Sequence, residues 1–385
     1  MNRRNFIRLA GGGVVATAAG GAVMGASLQS GFPAAAVQAW LGPGSETDPR
    51  KRALAYAITA PNPHNLQPWL VDLRESDAIT LYCDRERLLH ETDPFGRQIL
   101  LGHGAFIELL VLTLAEQGLR AEVALWPRGE MPAGLKDWDR RPVARVTLTP
   151  GAQRDPLFAQ VLRRHTPKVN FDTARTVPAD ALQALLACVQ AGGIRLDGTV
   201  DAARLPALRR LCQESAHVEL LTPRTVMESI RLTRVGPQEI LEHRDGIPVN
   251  SAAPRIFSAL GLFDRSAPPK EGSMAHGQMM DRFDGHSLSA MGFVWLATSG
   301  NSRTRQVEAG RAYVRLQLQA TELGVGMHPM SQALQEFAEM APHHAKAHAL
   351  MAREGETLQM FCRIGYPPGE VPATPRRPLE AFLAA

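Results

Sequence analysis

Apolar residues recur every three to four positions from Ile99 to Gln117, and Gly118 stands where a left-handed cap belongs, so this stretch is predicted to be a long helix. A second run of the same kind spans Gln306 to Leu323 and ends at Gly324. Strand-like patterning marks Leu66–Leu73, Ala78–Cys83, Arg120–Trp126, Val143–Leu148, Gly326–Met330 and Leu358–Ile364. Shorter helices are expected over Arg52–Thr59, Leu157–Arg164, Pro178–Gln190 and from Ser331 onward. Two prolines and two asparagines make residues 60–65 a loop, and His165–Phe171 reads as another. Phe257–Met280 is rich in Gly, Pro, Ser and Met and reads as a cover over a site or a long surface loop.

The two long helices sit in similar surroundings. Arg97-Gln98, a glycine, the helix and Glu116-Gln117-Gly118-Leu119 make one copy. Arg305-Gln306, Gly310, the helix and Glu322-Leu323-Gly324-Val325 make the other, and a strand and a proline (Pro127, Pro329) follow each. This order predicts two related α+β halves, the first over 53–150 and the second over 151–385.

Composition changes this picture little. The 385 residues are 45% hydrophobic and 21% charged with a net charge of +4, which suits a globular chain with a sizeable core. No basic stripe interleaved with aromatics points to nucleic acid. The four cysteines, Cys83, Cys188, Cys212 and Cys362, form no C-x-x-C and read as buried thiols. His343, His344 and His348 lack a carboxylate or thiol to complete a metal set and read as a surface cluster, so no metal site is assigned.

The N-terminus changes it more. Arg3-Arg4-Asn5-Phe6-Ile7 precedes a Gly- and Ala-rich apolar run and the small residues Pro33–Ala36, which reads as a twin-arginine signal over 1–36, with a polar linker over 37–52. The expected location is therefore periplasmic or otherwise exported, through the twin-arginine translocon, with retention as a signal anchor as the alternative. Ala10-Gly11-Gly12-Gly13 lacks the preceding strand a dinucleotide-binding turn requires. A route that carries folded proteins favours a cofactor acquired before export.

Three motifs carry chemistry. Ala60-Pro61-Asn62-Pro63-His64-Asn65-Leu66-Gln67-Pro68-Trp69 joins a rigid backbone to amides that both donate and accept. Arg163-Arg164-His165-Thr166-Pro167-Lys168 gathers cations and a hydroxyl suited to a phosphate. Arg376-Arg377-Pro378-Leu379 follows Gly365-Tyr366-Pro367 near the C-terminus.

These strings resemble the N-x-Q-P-W loop, the basic-hydroxyl opening motif and the basic C-terminal segment of the nitroreductase family. The resemblance implies an FMN site. Arg164, His165 and Thr166 would meet the phosphate, with Arg376 and Arg377 assisting, and Lys168 would be the cation at the flavin's N1–C2 side. Pro61, Asn62, Asn65 and Gln67 would pass close to the ring. The first half keeps the loop but lacks the basic motif, since Arg50-Lys51-Arg52 has no hydroxyl residue, and the second half keeps the basic motif but shows no loop around Cys188–Ile194. The chain therefore resembles the tandem-fused branch of the family, folded as an intrachain pseudo-dimer with one composite site. The implied activity is FMN-dependent hydride transfer through N5 from NAD(P)H or another donor to a nitroaromatic, quinone or similar acceptor. The alternative is a protein that sequesters FMN under a lid.

Overall fold

The computed structural model describes residues 31–189, 192–259 and 264–384; the twin-arginine motif lies outside them. The first half runs α1 (Pro49–Ala57), β1 (Trp69–Asp72), β2 (Ala78–Cys83), α2 (Arg97–Glu116), β3 (Leu119–Leu125) and β4 (Pro142–Pro150). Asp48 caps α1 by accepting from the Arg50 amide, and Pro49 takes the first helical position, where its missing N–H costs nothing. The second half opens with α3 (Ala179–Leu186) and β5 (Ile194–Thr199). An insertion follows: α4 (Leu205–Leu221), α5 (Pro223–Arg231), β6 (Thr233–Val235), α6 (Gly236–His243), β7 (Ile247–Val249), α7 (Ala252–Ala259) and α8 (Met274–Leu288). The half then closes with β8 (Gly292–Ser299), α9 (Arg303–Glu322), β9 (Gly326–Pro329), α10 (Ala341–Met351) and β10 (Glu356–Gly365).

Each half builds one four-stranded antiparallel sheet. The orders are β1-β2-β4-β3 and β5-β8-β10-β9, which correspond strand for strand, with α2 and α9 in the same place after the second strand. The internal repeat is thus a repeat of topology. It differs where β1 and β2 are joined by residues 73–77, whereas β5 and β8 are separated by the insertion.

The helices α2 and α9 pack on each other at the centre of the molecule. A Cβ on Gly104 would lie 2.0 Å from the Val307 carbonyl oxygen, and one on Gly310 would lie 2.0 Å from the Leu101 carbonyl oxygen. The two contacts are mirror relations: Gly104 answers Gly310, and Leu101 answers Val307. By the same register Arg97 corresponds to Arg303, two residues before the Arg305 that sequence order had paired with it. Both arginines cross to the other half. Arg97 donates to the Leu334 and Gln359 carbonyls, and Arg303 donates to those of Pro132 and Ala133. Helix α2 is apolar and long enough to span a membrane, but it is nearly all buried as a core helix.

Two local expectations change. Residues 156–160 form one short 3-10 turn instead of a helix reaching Arg164; Pro167 disfavours helix just before it, and the turn sends Arg164 inward. The 257–280 stretch contributes to two helices, α7 and α8. The four cysteines are free. His348 accepts from the Leu358 amide and its other nitrogen meets the His344 carbonyl, so it ties α10 to β10.

The tail beyond β10 returns to the first half. Leu383 bridges Val71 and the Ala384 amide donates to the Val71 carbonyl, which extends the β1 edge.

Candidate functional site

The loop between α1 and β1 carries unusual backbone. His64, Asn65 and Gln67 have φ of 47°, 55° and 54°. Asn tolerates this left-handed region, but His and Gln enter it at a cost of about 1–2 kcal/mol each. Internal bonds hold the shape. Asn62 Oδ1 accepts from the Gln67 amide at 2.8 Å, and Asn62 Nδ2 donates to the Ala60 carbonyl. Pro61 is half-buried at the start of this turn.

The amides of Asn65 and Gln67 are committed to the C-terminal tail. Asn65 Nδ2 donates to the Pro375 carbonyl while its Oδ1 accepts from Arg376 at 2.6 Å. Gln67, fully buried, accepts from the Arg377 amide and donates to the Asn65 and Arg244 carbonyls. Their polar atoms therefore shape the loop and clamp the tail.

The basic motif comes to the same place from the second half. Arg164 donates to Gln317 Oε1 and to the Thr59 carbonyl, which leaves its Nε without a partner. Arg376 donates to the carbonyls of Ile58, Thr59 and Ala60. Burial lowers the Arg376 guanidinium to about 9, with the Arg164 charge adding to the effect. His165 lies beside both; burial and these two arginines lower it to about 4, and its Nδ1 has no partner. Thr166 follows, half-buried. Arg377 is not part of this group: its guanidinium lies over the Phe382 ring at 4.4 Å, near Arg87, Asp84 and Asp245.

Trp40 covers the basic trio. Its ring lies 4.6 Å from the His165 ring, 5.5 Å from the Arg164 guanidinium and 5.2 Å from that of Arg376. Its indole N–H donates to the Thr374 carbonyl, and the Arg376 amide donates to the Ala36 carbonyl. Residues 34–41, divided in sequence between leader and polar linker, thus fold as two 3-10 turns over the site, with Ala36 and Trp40 buried.

Lys168 sits further along. Arg363 in β10, fully buried, grips the chain on both sides of it by donating to the Pro167 and Val169 carbonyls. The same guanidinium donates to His328 Nδ1 at 3.0 Å and to the His286 carbonyl. Because arginine only donates, the neutral His328 ring carries its proton on Nε2. His286 meets the His328 ring edge-on at 5.2 Å. Lys168 and Arg282 keep much surface open to solvent, yet surrounding protein lowers both; Lys168 falls to about 8, helped by the Arg282 and Arg376 charges. We read side chains that combine both properties as lining a cleft. His64, lowered to about 4 by burial and then by Lys168, lies on the same cleft, with Nε2 on the Ser229 hydroxyl and Nδ1 unpartnered.

The cleft therefore joins the first-half loop, the second-half basic motif, the tail and the insertion. Its cations, Arg164, Arg376, Lys168 and Arg282, have no carboxylate bonded to them among the described residues. Such a site suits an elongated anion. Two surface cavities of about 460 and 400 Å³ lie elsewhere, around Cys188 and around Val111.

Over 348 residues the chain is 28% identical to a Mycobacterium tuberculosis protein named "Putative NAD(P)H nitroreductase acg", covering 87% of this chain and 95% of that one. The chain is thus similar to proteins that carry the nitroreductase name. A second M. tuberculosis relative, "Putative NAD(P)H nitroreductase Rv3131", is 26% identical over 341 residues, 86% of this chain and 90% of that one. No protein-family model matches. Among solved structures, an FMN-bound nitroreductase from Bacteroides fragilis overlaps with a TM-score of 0.32 at 13% identity, covering 55% of this chain and 88% of its own. The Mycobacterium smegmatis FMN-dependent nitroreductase NfnB, solved with NADPH, overlaps at 0.34 and 18%, covering 54% and 86%. The fold is α+β in two related halves, and the basic motif and the tail reach the end of α1 at Ile58 and Thr59.

Sequence reasoning missed several residues of this site, His286 among them. Trp40 was hidden in an apparent linker, and His64 lay inside a motif read for its amides. Arg363 did leave a signal, as a lone charge in the otherwise apolar Met360–Ile364 strand. Arg282 left none.

Proposed function

We propose that the chain binds one FMN in this cleft and is an exported FMN-dependent oxidoreductase. The observation that carries the reading is a set of cations with no carboxylate partner among the described residues, together with buried nitrogens that lack partners among them: Arg164 Nε, His165 Nδ1, His64 Nδ1 and His286 Nδ1. Buried polar atoms are nearly always satisfied, so a group of orphans around one cleft fits a ligand rich in acceptors. The names of two relatives, both putative NAD(P)H nitroreductases, support the oxidoreductase class and NAD(P)H as donor.

In this reading Arg164, His165 and Arg376 receive the phosphate, with Thr166 beside them. Lys168, whose flanking carbonyls Arg363 holds, would supply a positive charge that favours the reduced, more negative form. FMN supplies the two-electron chemistry at N5. The donor is NAD(P)H or another reductant, and the acceptor a nitroaromatic, quinone or similar compound. Export through the twin-arginine route, with the cofactor already in place, completes the proposal.

A second reading, FMN sequestration, is favoured by Trp40, which is only 8% exposed and lies over the phosphate end. One experiment separates them. The protein, purified after export, is examined by visible absorption and then mixed anaerobically with NADPH. A flavin spectrum that bleaches supports the oxidoreductase. A flavin spectrum that persists with NADPH and with dithionite-mediated dyes of graded potential supports sequestration. A colourless protein that takes up no added FMN refutes both.

A further inference from the structure

From the geometry we infer that the cleft has a second anion-recognition point, centred on Arg282 of α8, which selects a negatively charged aromatic ligand, such as a carboxylate-bearing acceptor, beside the flavin position. This rests on the flavin reading of the cleft and names the substrate class for it.

The argument begins with helix register. His286 is buried, stacks edge-on against His328 and has its carbonyl held by Arg363. Arg282 precedes His286 by four residues, so both side chains leave the same face of α8. The same Arg363 holds the two carbonyls that flank Lys168, so one guanidinium ties the His286 end of α8 to the Lys168 segment. Arg282 and Lys168 make no hydrogen bond and no ion pair among the described residues, and they are close enough for the Arg282 charge to act on Lys168. The remaining groups on this wall are His286 and His328, both held neutral by burial and the neighbouring cations. His328 presents Nε2–H as a donor, because Arg363 occupies Nδ1.

The phosphate end of the cleft has its own cations in Arg164 and Arg376. The Lys168 cation serves the flavin edge in the reading above. Arg282 is therefore a surplus charge, contributed by the insertion that the first half lacks. Unpaired cations with a neutral donor and flat imidazole walls fit an aromatic anion, whose carboxylate can take a bidentate arginine contact. Asp284 pairs with His217 instead, and among the described residues no ion pair joins the neighbouring Asp281 to Arg282.

The test is a calorimetric titration of the protein as purified with benzoate and with benzamide, for the wild type, Arg282→Gln and Arg282→Lys. The flavin content of each sample is measured first by absorbance. The expected result is that the wild type binds benzoate more tightly than benzamide. Arg282→Gln then weakens benzoate about tenfold and leaves benzamide unchanged, and Arg282→Lys restores most of the preference. The inference is overturned if the wild type shows no preference for benzoate, if Arg282→Gln weakens both probes equally, or if Arg282→Gln loses flavin that the wild type retains, which would make Arg282 a cofactor ligand. Flavin missing from every sample would refute the flavin reading alone, because the benzoate preference is still read directly.

Discussion

Replacing Gly104 with alanine tests whether the two halves truly meet backbone to backbone. The new Cβ would lie 2.0 Å from the Val307 carbonyl oxygen, 2.9 Å from the Arg311 amide and 2.9 Å from the Gly310 Cα. None of these is a side-chain tip that can swing away, so α2 and α9 must separate by about 1 Å to restore a tolerable contact. A gap of that size forfeits a quarter to a half of the dispersion energy across the interface, and overpacking of this kind costs about 1–3 kcal/mol. Alanine recovers up to about 1 kcal/mol of helix propensity, which leaves a net loss of about 1–2 kcal/mol. Gly310→Ala should cost a similar amount, because its Cβ would lie 2.0 Å from the Leu101 carbonyl oxygen. The double variant is the decisive case. Both Cβ atoms need the same separation of the same helices, so the pair should cost clearly less than the sum of the singles. Urea unfolding followed by fluorescence of the buried Trp69, Trp138 and Trp295 gives the three values. Gly277→Ala in α8, where nothing lies within 4 Å, serves as the control and should be neutral or stabilising. Strict additivity, or a Gly104→Ala variant as stable as Gly277→Ala, would refute the shared crossing.

Gln67→Leu leaves the Arg377 amide and the Arg244 carbonyl without these partners, while the Asn65 carbonyl keeps the Gly246 amide, and should destabilise the protein by about 3 kcal/mol in the same urea assay. Trp40→Ala removes the aromatic cover from Arg164, Arg376 and His165, and should speed FMN release several-fold in a stopped-flow flavin-fluorescence measurement; Trp40→Phe should restore part of the effect. Lys168 binds its proton less tightly folded (about 8) than unfolded (10.5), so in the flavin-free protein it opposes folding below pH 8 and that opposition fades as pH rises toward 10.5. Melting temperatures of Lys168→Met and wild type should therefore converge as pH rises from 7 to 10; a difference independent of pH would rule out a charged Lys168 as its source.

Much of the fold was legible because it rests on local signals. The period of residues 99–117, the glycines at 118 and 324, and the alternation in 78–83 each gave an element close to its observed bounds. The pairing of the halves was legible in order but slipped by two residues at the helix starts, because Arg305-Gln306 imitates Arg97-Gln98 better than the true counterpart Arg303-Thr304 does. The site was only partly legible. Motifs identify residues, but the choice between holding a ligand and holding the protein depends on what lies opposite. Asn65 and Gln67 meet a tail more than 300 positions away, and Arg377 turns onto Phe382. Trp40 and Arg282 sit in segments with no periodic signal toward the site, so only tertiary structure reveals them.

The closure of Trp40 onto Thr374 has a temporal consequence. The two residues are 334 positions apart, and the ribosome makes Trp40 early and Thr374 late. The first half can assemble its sheet on the nascent chain, as leading segments commonly do. Its loop at 60–67 nevertheless waits for residues 374–377, which bring the bonds that hold Asn65 and Gln67 in place. No partial chain therefore possesses the finished cleft, and a ligand cannot guide the early steps of folding. Loading is an event of the completed molecule, and cellular quality control could sense it as the docking of one short tail beneath one tryptophan.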